Sequence, residues 1–269
     1  MALQRNGVFG KSQPAAIEGM HSPGPISADA LKLIAMAVMF LDHTGMVLFP
    51  GDLGWRLVGR TAFPLYIWML VMGLFYTSNV RRYLFRLCAF ALLSEIPFNL
   101  AVSGGLWYRP WQNVYFTLAI SLAMLWVLQR AEEMGRPMAG VWAVPAAMLV
   151  SEWLGFDYGC TGPLLAYLFY MRAKKGRPVL TAGFLLFCLS NLLSPLLAGK
   201  NLLAPEVLSG AVSVVCTEAF GIVSVPLIGL CNGVRRWKRG RIFFYLFYPA
   251  HLLLLSFLRD GSGIFALFL

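Results

Sequence analysis

The chain has 269 residues, of which 59% are hydrophobic and only 13% are charged. Soluble domains are roughly 45–50% apolar and about 25% charged, so this composition excludes an ordinary water-soluble core and implies a polytopic membrane protein. The net charge of +10 reads as membrane topology rather than nucleic-acid binding, because the basic residues fall mostly between apolar segments.

Residues 1–28 are polar and contain Gly, Pro and Ser, which predicts a mobile cytoplasmic tail with no evident cleavable signal peptide. Hydropathy then predicts nine spans, at about 29–49, 55–77, 83–103, 113–129, 138–154, 159–172, 178–198, 207–230 and 241–259. Alternation of the barrel type is absent, so the expected fold is all-α: one bundle of about nine transmembrane helices enclosing a polar cavity. In that layout sixteen of the 22 Lys and Arg residues fall on one side, and Arg56, Arg109, Lys200 and Arg259 fall on the other. The bias predicts a cytoplasmic N-terminus and an outer C-terminus. Cys88, Cys160, Cys188, Cys216 and Cys231 are scattered without CxxC spacing, and read as buried packing residues rather than metal ligands or disulfides.

The first span carries Asp42 and His43 side by side. An ionisable residue inside a spanning helix costs roughly 2.5–3.5 kcal/mol for Asp on insertion scales, so such residues usually face a partner or a polar cavity. Arg56 and Arg60 are i,i+4 in the second span, with Pro64 continuing their face. Glu95 and Asn99 repeat that spacing in the third. Asn113 opens the fourth span, and Asp157 and Tyr158 bracket the outer ends of the fifth and sixth. Glu218 lies near the middle of the eighth span, and Tyr248 and His251 near the middle of the ninth. Asp42, His43, Arg56, Arg60, Glu95, Asn113 and Asp157 all map to the outer half and are expected to line one cavity. The plainer expectation is a set of separate ion pairs, such as Arg60 with Glu95. Adjacent residues diverge by about 100° on a helix, so Asp42 and His43 should find different partners. His43 is the favoured reacting group, since neutral imidazole acts as a base at physiological pH.

The segments KLIAMAVMFLDHTG, GRTAFPLYIW, LLSEIPFNLAVSG, QNVYFTLAI, FDYGCTGPLL and IFFYLFYPAHLLLL resemble the TraX family, in family order and over nearly the whole chain. That family's namesake acetylates the N-terminus of pilin in conjugation. The resemblance makes residues 29–269 a TraX-like transmembrane acyltransferase domain, similar to the wider transmembrane acyltransferase group, in the cytoplasmic membrane. It implies acetyl-CoA as donor substrate, no metal, and a pilin-like peptide or a glycan as acceptor. It also implies that His43 is catalytic, that Arg60 and Glu95 occupy motif positions, and that His251 is the histidine of the YPxH motif.

Acetyl transfer needs a base, oxyanion donors and two substrates held in contact. His43 is expected as base or acyl carrier, with Asp42, Arg60 and Glu95 completing the catalytic set. Arg56, Asn113, Asp157, Tyr248 and His251 are expected to bind substrate. The basic clusters Arg172–Arg177 and Arg235–Arg241 are candidate contacts for CoA phosphates, although topology alone also accounts for them. A second class of function is a proton-coupled transporter of a small anionic solute, and a third is an assembly factor without chemistry.

Overall fold

The computed structural model describes residues 24–108, 110–175, 181–197, 199–201, 204–234 and 241–260. Most of the expected tail, Arg109, Arg177 and the cluster at 235–239 lie outside these residues. Every regular element described is helical, and no strand occurs among the described residues.

Helix α1 (Ala28–Leu48) starts where Ser27 Oγ accepts the Ala30 N–H, with Asp29 in the first turn facing the positive end of the helix. After a turn at 49–52, α2 (Leu53–Gly59) begins with Asp52 capping Gly54, and α3 (Ala62–Tyr76) follows almost without a break. Helix α4 (Val80–Ser103) is capped by Asn79 and ends at Gly104, whose φ of 75° is the left-handed stop that glycine favours. Arg259 then donates to the terminal carbonyls of Leu100 and Ala101 at 2.9 and 2.8 Å, which explains one of the few basic residues expected on the outer side. Next come α5 (Val114–Glu133), α6 (Pro137–Val141), α7 (Ala143–Trp153) and α8 (Thr161–Lys174). Helices α9 (Thr181–Ser190), α10 (Leu193–Leu197), α11 (Pro205–Ala219), a 3₁₀ turn (Phe220–Val223), α12 (Ser224–Gly229) and α13 (Arg241–Asp260) complete the order.

Among the described residues, six helical stretches are long and apolar enough to cross a membrane: α1, α2–α3 together, α4, α5, the run from α11 to α12, and α13. This is fewer than the nine expected. The fifth to seventh expected spans are helical but short or interrupted. Helix α8 has 14 residues, about 21 Å at 1.5 Å per residue, against a hydrocarbon core of about 30 Å. The turn between α7 and α8 holds Gly155, Tyr158 and Gly159 at positive φ, at the boundary that hydropathy places between the fifth and sixth spans.

The contacts fix helix directions. Helix α13 runs parallel to α1, since Lys32 lies over the Phe244 ring near the start of both while His43 meets His251 further along. The run α11–α12 is antiparallel to α1, because Leu230 and Val234 just beyond it bond Ile26 and Ala28 just before α1. Helix α8 runs parallel to α3, with Tyr158 beside Phe63 and Tyr170 beside Phe75.

The side chains are sorted as lipid requires. On α4, Phe85, Leu92, Leu93 and Ile96 face outward, as do Ile242, Phe243, Leu254 and Leu258 on α13. Inward on α13 lie Tyr248, His251, Leu252 and Ser256. Apolar residues therefore cover both faces and the polar ones turn inside, the reverse of a soluble amphipathic helix. Cys160 and Cys188 are buried as expected, whereas Cys88 and Cys216 sit on outward faces. A thiol is apolar enough for a lipid-facing position, so hydropathy could not separate the two cases.

Candidate functional site

Two residues of α1 send their side chains to different helices. Asp42 turns towards α2 and α11. Arg60, just after α2, donates from Nη2 to both Asp42 oxygens at 2.8 and 2.9 Å, and from Nη1 to Glu218 Oε1 at 2.8 Å. Arg56 donates a further bond to Asp42 Oδ2 at 2.9 Å. Asp42, Arg60 and Glu218 are all buried, and Glu218 Oε2 has no hydrogen-bond partner among the described residues. Gly59 makes this approach feasible. A Cβ there would lie 2.1 Å from Asp42 Oδ1, so the carboxylate rests on the space a side chain would fill. Gly221 does the same on the other flank, where a Cβ would lie 2.9 Å from the Arg60 carbonyl oxygen.

His43 turns towards α13. Its Nδ1 lies 2.6 Å from His251 Nε2, and the rings stack with centroids 4.9 Å apart. His251 Nδ1 lies 2.7 Å from the Phe247 carbonyl. A carbonyl only accepts, so His251 carries its proton on Nδ1. Its Nε2 then accepts in the neutral ring, and His43 must donate from Nδ1. This leaves the lone pair of His43 on Nε2, which makes no hydrogen bond among the described residues. Tyr248 packs edge-on against both histidines, with centroids 5.7 Å away in each case.

Pro249 shapes this stretch of α13. It has no N–H to bond the Tyr245 carbonyl four residues back. The Tyr115 hydroxyl on α5 fills that role at 3.0 Å, and the Tyr115 ring meets Tyr248 edge-on at 5.2 Å. The freed carbonyl is satisfied by a neighbouring helix, as membrane proline requires.

Glu95 and Asn113 form a third group. Asn113 caps α5 by accepting the Tyr115 N–H, and its Nδ2 donates to Glu95 Oε2 at 2.6 Å and to the Ala91 carbonyl at 2.8 Å. Glu95 thus meets Asn113, and the expected pairing of Arg60 with Glu95 is replaced by Arg60 with Asp42 and Glu218. Asp157 lies in the turn after α7, where its carbonyl accepts the Thr117 hydroxyl and its N–H donates to Gln112. Burial pushes its carboxyl up to about 6, against the pull of the Arg60 charge.

The seven polar groups expected around one cavity are therefore engaged largely with partners in separate clusters. A cavity of about 530 Å³ lies elsewhere, between α1, α3, α4, α5 and α13, and none of those seven residues lines it. Arg60, expected in the catalytic set, and Arg56 and Asn113, expected to bind substrate, already hold carboxylates. Glu218 and Tyr115 were not among the expected site residues. The signal for Glu218 was a carboxylate in an apolar span. Tyr115, an ordinary interfacial aromatic by sequence, gave none.

A bundle of membrane-length helices with ion pairs and a histidine pair buried inside defines a multi-pass helical membrane protein with an interior polar centre. The chain belongs to the TraX family, whose sequence model, described as TraX protein, matches residues 27–259. It is 32% identical over 245 residues to "Probable fimbrial assembly protein FimC, serogroup H1" of Dichelobacter nodosus, covering 85% of this chain and 94% of that one. It is 28% identical over 247 residues to "Protein TraX" of Escherichia coli, covering 88% of each. No solved structure matches the chain.

Proposed function

We propose that this protein is a membrane acyltransferase that moves an acetyl group from acetyl-CoA to an amine or hydroxyl of an extracytoplasmic acceptor, with His43 as general base. One observation carries the reading: the hydrogen-bond chain from the Phe247 carbonyl through His251 to His43 orients the imidazole and leaves its Nε2 lone pair unused. Base, orienting group and fixed carbonyl form the arrangement that activates a weak nucleophile. The acceptor nitrogen or oxygen attacks the thioester carbonyl carbon as His43 Nε2 takes its proton. The new C–N or C–O bond forms, the C–S bond breaks, and the departing thiolate takes that proton back. In this account His251 is a positioning residue, and its Nε2 accepts the hydrogen bond from His43 Nδ1–H while the His43 ring is cationic.

Asp42, Arg56, Arg60 and Glu218 brace α1 against α2 and α11 beside the histidine, a positioning role rather than a reacting one. Their close mutual pairing also weakens the transport reading, which needs charges available to a moving solute. A pilin-like peptide is preferred over a glycan as acceptor, because one relative is named as a fimbrial assembly protein.

Nine crossings of the cytoplasmic membrane, with the N-terminus inside, fit this function. Six crossings in strict alternation would leave α13 antiparallel to α1, whereas the two helices are parallel. An odd number of additional crossings by the short helices removes that conflict. The reading is tested by incubating the full-length protein in vesicles with acetyl-CoA and a pilin-like peptide. The expected result is CoA release and a peptide heavier by one acetyl group. Solute flux without thioester cleavage for any acceptor would replace this reading with transport.

A further inference from the structure

The cavity of about 530 Å³ lies at the end of the bundle where α1, α4 and α13 begin and α3 ends. None of the clusters described above accounts for it. Two cations among the described residues line it, Lys32 on α1 and Arg86 on α4. Arg86 lies over the Tyr83 ring with its Cζ 5.6 Å from the centroid, and its Nε is buried without a hydrogen-bond partner among the described residues. Beyond these cations the wall carries hydroxyls from Tyr66, Tyr76, Thr77, Ser78, Tyr83 and Tyr115.

The cavity shares the faces of two helices with the histidine pair. Lys32 and His43 are eleven residues apart, which on a 3.6-residue helix is three turns on one face and about 16 Å along the axis. Met36 lies between them on that face and lines the cavity. Phe244, Tyr248 and His251 form the matching i, i+4, i+7 stripe on α13, and Phe244 also lines the cavity. Tyr115 stands at the junction, touching the cavity on one side and Tyr248 on the other. An elongated ligand seated with its anionic end at Lys32 and Arg86 thus directs its other end past Tyr115 and Tyr248 to His43.

We infer that this cavity is the donor site, and that it takes the phosphopantetheine arm of a CoA thioester with its phosphates on Arg86 and Lys32. The inference rests on the acyl-transfer reading and assigns that reading a place in the structure. It adds two side chains within the bundle to the expected phosphate contacts at 172–177 and 235–241, part of which lie outside the described residues. A phospholipid shares the phosphate chemistry, but its acyl chains offer no hydrogen-bonding group to this hydroxyl-bearing wall, whereas the two amides of pantetheine do. The end of the cavity nearest the N-terminus of α1 is also the cytoplasmic end in the proposed topology, where CoA thioesters are made.

The test is equilibrium binding of radiolabelled CoA to the full-length protein in phosphatidylcholine nanodiscs, for wild type, Arg86→Gln and Met36→Trp. The expected result is wild-type binding that weakens with salt, about tenfold or greater loss in Arg86→Gln, and abolition in Met36→Trp, which fills the cavity. Pantetheine, lacking phosphates, should compete equally weakly against wild type and Arg86→Gln. Equal CoA affinity in all three proteins, or no CoA binding by wild type, would overturn the assignment. A tightly held anionic phospholipid that CoA does not displace would make the cavity a lipid site. Turnover on the same samples separates the two claims. Acetyl transfer with a KM indifferent to Arg86→Gln would sink the cavity assignment alone. Arg86-dependent CoA binding without transfer to any acceptor would sink the acyltransferase reading alone.

Discussion

His43 and His251 stand 2.6 Å apart, nitrogen to nitrogen, across the contact between the first and last long helices. The pairing gives His251 a role that its position after Tyr248 on the sequence does not suggest. If it positions His43, His251→Ala should lower kcat about 10²-fold, the scale of general-base catalysis. KM for acetyl-CoA should stay unchanged and the pH–rate profile should change shape. A purely structural residue would instead lower the amount of folded protein and leave the profile of the remainder intact.

Arg60 holds two buried carboxylates at once. Arg60→Met leaves Glu218 without a cation and Asp42 with only the half-buried Arg56. Breaking a buried pair by removing one partner costs about 3–5 kcal/mol. Arg56→Met should cost far less, because that guanidinium is 32% exposed and Asp42 keeps Arg60. Thermal unfolding in detergent should separate the two variants clearly. Equal stability would mean that Arg60 carries no special share of the network.

Asn113 acts as a helix cap and as the partner of Glu95. Asn113→Ala removes the cap on α5 and strips Glu95 of its amide donor, with a cost of about 1–2 kcal/mol from the cap alone. The same variant should leave KM for acceptor and donor unchanged per folded molecule. A rise in KM without loss of stability would restore the substrate-binding role expected from the sequence.

These cases mark what the sequence can and cannot say. Hydropathy and charge identify a helical membrane protein, and the Asp42–His43 pair marks the helix that carries the proposed site. The 100° step between adjacent residues correctly requires two different partners for that pair. Helical spacing does not reveal which neighbouring helix a face will meet. That choice depends on packing between segments far apart in the chain, so the expected pairing of Arg60 with Glu95 gives way to Arg60 with Asp42 and Glu218. The segments of the seventh and eighth helices count as spans in the sequence because hydropathy registers apolar composition, although α8 is only 14 residues long.

Asp157 titrates at about 6 in the fold against an ordinary 3.8, so the folded protein binds that proton more readily than the unfolded chain. Its ionisation therefore costs stability, fully above about pH 6 and not at all well below pH 4. Wild type should lose stability relative to Asp157→Asn as pH rises from 4 to 6, with a constant difference above. The ratio is read from parallel unfolding curves across that range. A difference that grows as pH falls would reverse the sign and contradict the assignment.

The central claim is that the free Nε2 of His43 takes the acceptor proton during acetyl transfer. The direct measurement is CoA release from acetyl-CoA by His43→Ala and wild type, each quantified as folded protein in vesicles with the same pilin-like peptide. The account predicts a loss of about 10²–10⁴-fold in His43→Ala, with CoA binding retained. Near wild-type turnover in His43→Ala would contradict it.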